Sequence, residues 1–164
     1  MSKGKTKFLS LALLGAVAMM LCAPFAEGAE QTRETYKEAV EPICKVNSEA
    51  SGRILKGVKK EVQKGKLKPA ATKFTKAAAA LKSALTKLKA VPPPTADKAK
   101  LEQWLKMIGE EVKLFEGTAK KLKAGDKSGA QAMSLRLTST ANRANNLVVG
   151  FEFKYCKVEP SKYS

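Results

Sequence analysis

Apolar residues recur along most of this chain at steps of three and four. The first such row is Tyr36, Val40, Ile43, Asn47, Ala50, Ile54, Val58 and Val62, with Asn47 its one polar member. That spacing marks one face of a helix. Gly65 supplies a stop, and Pro42 either kinks the helix or opens its main part. A second row is Leu67, Ala71, Phe74, Ala78, Leu81, Leu85 and Leu88, with Pro69 in its first turn and Pro92-Pro93-Pro94 beyond its end. The third is Leu101, Leu105, Ile108, Val112, Phe115, Ala119 and Leu122, capped by Thr95 or Asp97 and closed by Gly125. The fourth is Ala130, Met133, Leu137, Thr140, Ala144, Leu147 and Phe151, with Asp126 as its cap.

No stretch alternates convincingly as a strand. Val148–Tyr155 comes nearest and is expected to be a last helical turn and a packed tail. Short connections make neighbouring helices antiparallel. The expected fold is therefore all-α, an up-down-up-down antiparallel four-helix bundle after an N-terminal export segment. The regular Leu/Phe row through Ala77–Ala80 marks a packed helix despite its simple composition.

The export segment is expected at 1–26. Lys3, Lys5 and Lys7 precede an apolar run from Phe8 to Phe25, the pattern of a signal peptide. Roughly 20 apolar residues also suffice to span a bilayer, so a retained N-terminal membrane anchor is the alternative. Ala26 and Ala29 are candidate cleavage positions. Met20-Leu21 before Cys22 argues against a lipid anchor. Residues 27–164 then form a single helical-bundle domain, secreted or held in the cell envelope. Membrane contact would run only through the N-terminal segment, if it is retained.

Removal of that segment leaves Cys44 and Cys156. An even pair in an exported chain points to one disulfide. The topology agrees, because the start of the first helix and the end of the fourth share one end of the bundle. A redox-active role is weaker, since no Cys-x-x-Cys pair exists.

Charge adds a candidate function. The chain has 31 Lys plus Arg against 15 Asp plus Glu, a net charge of +16. Without the three lysines of the leader, 28 basic residues face 15 acids, for +13. The bundle brings the first–second and third–fourth turns to one end. Lys59, Lys60, Lys64, Lys66 and Lys68 then meet Lys120, Lys121, Lys123 and Lys127, with Glu61 and Asp126 among them. The opposite end, with Glu30, Glu34, Glu38, Glu41 and Asp97, is mixed. Such a pole suits an anionic polymer, acidic lipid head groups, extracellular nucleic acid or an acidic protein. The plainer reading is a solvated surface that keeps the chain soluble. Sequence-specific nucleic-acid recognition is not expected, because arginine is scarce and no aromatic residues interleave with the basic ones.

The chain has no histidine. That excludes His-ligated metals and a His general base, and no metal or other cofactor is expected. Three cysteines in all exclude a Cys₄ cluster. Glu110-Glu111 and Glu34/Glu38 read as surface decoration. A Ser–Lys pair is compatible with the composition, but no pattern places one, so no catalytic residue is assigned and no enzyme is expected.

The stretch from Thr138 to Asn146 is unusually polar for a helix. One reading is a hydrogen-bond network facing Asn47 and Ser51. The other is a ligand pocket between helices involving Asn47, Thr140 and Asn145, which would make the protein a small-ligand carrier or sensor. Trp104 and Met133 are expected in the core.

Several segments together resemble a group of small exported proteins from actinobacteria. They are Glu41-Pro42-Ile43-Cys44-Lys45-Val46-Asn47, Arg53–Val58, Gly65–Ala71, and Ala144-Asn145-Asn146 through Phe153-Lys154-Tyr155-Cys156. The resemblance implies export and a paired cysteine, and it implies no activity.

Overall fold

A computed structural model describes residues 31–158. The expected export segment 1–26 lies outside them. The described residues form an all-α helical bundle with four long helices and one short one.

Helix α1 (Arg33–Leu55) starts at Thr32, whose hydroxyl accepts from the Thr35 amide at 3.2 Å. The Thr32 amide in turn donates to the Thr35 hydroxyl at 3.0 Å. This reciprocal box satisfies two amides that would otherwise lack partners. The helix runs through Pro42 and stops at Leu55. The row that predicted one helix as far as Val62 is therefore split. Gly57 adopts φ 76°, a left-handed conformation that glycine enters without a Cβ clash. A new helix, α2 (Val58–Gln63), begins after it.

Helix α2 ends at Gly65 in a Schellman closure: the Lys66 amide donates to the Glu61 carbonyl and the Gly65 amide to the Val62 carbonyl. Helix α3 (Leu67–Lys89) follows with Pro69 in its first turn. It buries Ala70, Ala71, Phe74, Ala77, Ala78, Leu81, Ala84, Leu85 and Leu88. Its small residues allow neighbouring backbones to come close.

A 3₁₀ turn, Thr95–Asp97, leads into α4 (Lys98–Lys123). The Asp97 side chain does not cap α4 as the sequence suggested. It forms a two-pronged ion pair with Arg33 at the start of α1, at 2.6 and 2.8 Å. The guanidinium holds the Asp97 carboxyl below its ordinary range, and it also lies 5.3 Å from the centre of the Phe151 ring. Helix α5 (Lys127–Leu147) is capped as expected: Asp126 accepts from the Gly129 amide at 2.7 Å. A Cβ on residue 129 would strike that carboxylate.

Helix α3 packs against α1, α2 and α4, and α4 packs against α3 and α5. The two central helices are thus buried on more than one side. The segment after α5 ties the outer helices together. A 3₁₀ turn, Val149–Phe151, delivers Phe153 against Trp104 with ring centres 5.6 Å apart. Glu41 of α1 accepts the amides of Lys154 and Tyr155, the latter at 2.9 Å. Asn145 of α5 pairs both ways with the backbone of Val158, at 2.7 and 3.0 Å. Cys44 and Cys156 are joined as a disulfide across 112 residues.

Tyr36 is fully buried, edge-on to Phe151 at 6.1 Å. Its hydroxyl has no hydrogen-bond partner, and burial pushes its pKa up to about 12. Removing an unsatisfied oxygen while keeping the ring is stabilising. Tyr36→Phe is expected to raise the unfolding free energy by about 1 kcal/mol in urea denaturation.

Candidate functional site

Three concave regions bear on function. The first lies where two turns meet. Gly65–Pro69 and Leu122–Gly125 enclose a shallow concavity of about 390 Å³ lined by Lys66, Lys68 and Lys123. Lys123 is carried there by a second Schellman closure, in which the Asp126 amide donates to the Lys121 carbonyl and the Gly125 amide to the Leu122 carbonyl.

The second is a groove of about 560 Å³ alongside. It is lined by a mixture of apolar residues, including Val58, Val62, Leu122, Ala130 and Leu135 with Phe74 of α3, and polar ones, including Gln63, Thr118, Gln131, Ser134 and Thr138. Lys59 and Lys127 both line it. Leu135 is 66% exposed, a large apolar side chain left in water.

Lys60, Lys64 and Lys120 are exposed on the same elements. The two acids among these lysines are internally engaged. Glu61 binds Lys73 at 2.6 Å. Asp126 binds Lys121 at 2.9 Å while capping α5, and both contacts lower its pKa. Lys121 is therefore half-buried and paired, and it contributes less outward field than its neighbours.

The third region sits between α1 and the tail. It is a cavity of about 360 Å³ bounded by Asn47, Ser48 and Ser51 of α1, Leu81 of α3, Glu111 and Phe115 of α4, and Lys154, Tyr155, Lys157 and Val158. The expected trio of Asn47, Thr140 and Asn145 does not share it. Asn47 lines the cavity, and its Oδ1 has no hydrogen-bond partner. Asn145 is committed to the Val158 backbone. Thr140 is buried in α5 and is not among the lining residues. Among the described residues, the polar stretch of α5 shows no bond to Asn47; its two cross-element hydrogen bonds, both between Asn145 and Val158, anchor the tail.

Glu111 is the residue that the sequence reading misplaced. It is 1% exposed, not surface decoration. Neither carboxylate oxygen has a partner, and burial raises its pKa to about 8. Its position was legible in principle. Trp104, Met107, Glu111, Leu114 and Thr118 are all buried and form a second row on α4, beside the expected one. Thr118 tolerates that row because its hydroxyl donates back to the Leu114 carbonyl at 2.8 Å. Glu111 has no equivalent escape.

Among the described residues, no group of three or more Cys, Asp or Glu is arranged to hold a metal ion, and no helix is long and apolar enough to cross a membrane. No protein-family model matches the chain, and no similar curated protein or solved structure was found. The likeness to exported actinobacterial proteins therefore stays a resemblance.

Proposed function

We propose that this protein is exported and acts in the cell envelope, or outside the cell, as a non-catalytic module that binds anionic polymers or acidic proteins. The reading takes the helices as an up-down-up-down antiparallel bundle whose lysine-rich pole is the working surface. One observation carries it: Lys66, Lys68 and Lys123, drawn from two turns far apart in sequence, surround a single concavity. Lys59 and Lys127 both line the adjoining groove and extend the basic surface. Like charges held together on rigid helix ends raise the local potential. A polyanion relieves it and releases its own counterions, so affinity depends steeply on salt. The buried disulfide supports the location, because such bonds persist in oxidising compartments.

The test is a pull-down of the mature protein against its own cell's envelope fraction at low and high salt. Salt-released capture of an anionic polymer or acidic protein is the expected result. The triple change Lys66→Glu, Lys68→Glu and Lys123→Glu should weaken capture at low salt at least tenfold and flatten its salt dependence. Capture indifferent to both salt and these substitutions would overturn the proposal.

A further inference from the structure

The lysine pole leaves the Glu111 cavity unexplained, and nothing about that cavity depends on the pole. We propose that it is a binding site for a small zwitterion of amino-acid size, with the ligand's ammonium on Glu111 and Asn47 and its carboxylate on Lys154 and Lys157.

The argument begins with unmet hydrogen bonds. Both oxygens of Glu111 and the Oδ1 of Asn47 are buried without partners, and all three are on residues that line one cavity. Buried polar atoms are almost always satisfied, so three on residues that share one cavity call for a donor-rich partner. A primary ammonium offers three N–H donors and no acceptor, which fits the three oxygens once Glu111 has given up its proton, when all of them are acceptors. Ser51, 7% exposed, adds a hydroxyl that can donate or accept.

A divalent metal fits poorly. Hard cations take six or more oxygen ligands, often several carboxylates, and among the described residues Glu111 is the only carboxylate on this cavity.

The remaining charge selects the ligand's other end. Among the described residues, Lys154 and Lys157 are the only cations lining the cavity. They would repel a simple amine but pair with the carboxylate of a zwitterion. Tyr155 forms part of the wall between them, with the Lys154 ammonium 5.2 Å from its ring centre. A volume of about 360 Å³ lies at the small end of the range for ligand sites. A neutral glutamine or leucine would fill residue 111 without a buried ionisable group, so retaining Glu works against stability in the empty protein.

Binding also carries a proton signature. The groups facing Glu111 across the cavity are Lys154, Lys157 and Tyr155 from the tail, while α1 and α3 present only Asn47, Ser48, Ser51 and Leu81. With burial holding Glu111 protonated at neutral pH, capture of an ammonium ionises it and releases close to one proton per ligand.

The experiment is isothermal titration calorimetry of the whole mature protein with each of the twenty standard amino acids at pH 6.5. Each titration is run in two buffers of different ionisation enthalpy. Methylamine and acetate are titrated as single-charge probes. At least one amino acid is expected to bind with proton release, more tightly than either probe. Glu111→Gln should weaken binding at least tenfold and abolish proton release. The double change Lys154→Gln and Lys157→Gln should weaken binding while preserving proton release. Absence of heat from all twenty, or binding unchanged by Glu111→Gln, would overturn the proposal. So would methylamine binding as tightly as any amino acid. Circular dichroism of each variant establishes that the fold is retained, and the polymer pull-down stands apart from all of these outcomes.

Discussion

Replacing Cys44 and Cys156 together by alanine should lower the unfolding free energy by about 4 kcal/mol. The bond joins residues 112 apart, and a closed loop of that size removes much of the freedom of the unfolded chain. The chain-entropy account gives about 4.7 kcal/mol for 100 residues, and native strain subtracts from it. Against a total of roughly 5–15 kcal/mol for a typical domain, this is the largest single-site effect expected here. Alanine is the right probe because both sulfurs are buried and serine would bury hydroxyls as well. The fold itself should survive. Phe153 still packs on Trp104, Glu41 still holds the Lys154 and Tyr155 amides, and Asn145 still holds Val158. Urea denaturation of the oxidised protein and the double variant measures the difference. A change below about 1 kcal/mol would mean that these contacts, not the bond, fix the tail.

The second large effect is a decline of stability with rising pH. Glu111 has an ordinary pKa of 4.5 and is raised to about 8 in the fold. Between those values the folded protein keeps a proton that the unfolded chain has lost. Stability from this group is therefore fully present below pH 4.5 and is lost progressively until pH passes 8. By pH 7 the loss is about 3 kcal/mol, at 1.36 kcal/mol per pH unit. The window is unusually quiet. The chain has no histidine, so between about pH 5.5 and 8, above the ordinary carboxylate range, no other side chain of ordinary pKa titrates. Asp97 and Asp126 have lowered pKa values. Their contributions rise with pH below the usual carboxylate range and are complete before the window opens. Unfolding free energies at pH 5, 6, 7 and 8 should fall steadily for the natural protein and stay flat for Glu111→Gln. Equal slopes in the two would show that the carboxyl titrates normally.

Much of the architecture can be read from spacing alone. The rows of α3, α4 and α5 fall where threes and fours place them, and the Asp126 cap forms as its position suggests. The cysteine pairing is legible from the even count left after the leader, and Cys44 and Cys156 are joined. The break in the first row is less visible, because Val58 keeps the helical phase across Gly57 and only the left-handed turn ends the helix. Glu111 escaped for a different reason. A pattern rule that sorts acids to the surface fails on a helix covered by two neighbours, where positions beside the main row are buried too. Asn145 escaped because its partner, Val158, lies in an irregular tail with no periodicity to announce it. Lys66, Lys68 and Lys123 line one concavity, and the pairing of Lys121 with Asp126 depends on a turn geometry that spacing does not encode.

The position of the disulfide also sets an order of events during biosynthesis. Ribosomes add about 5–20 residues per second, so Cys44 is made roughly 5 to 20 seconds before Cys156, which lies 112 residues later. Through that interval, its eventual partner does not yet exist. Chains cut short before Cys156 would keep an unmatched thiol, open to mixed disulfides with small thiols or other proteins. Closure of the bridge thus reports that the polypeptide has been completed as far as its tail, and a thiol-reactive label would separate unfinished molecules from finished ones.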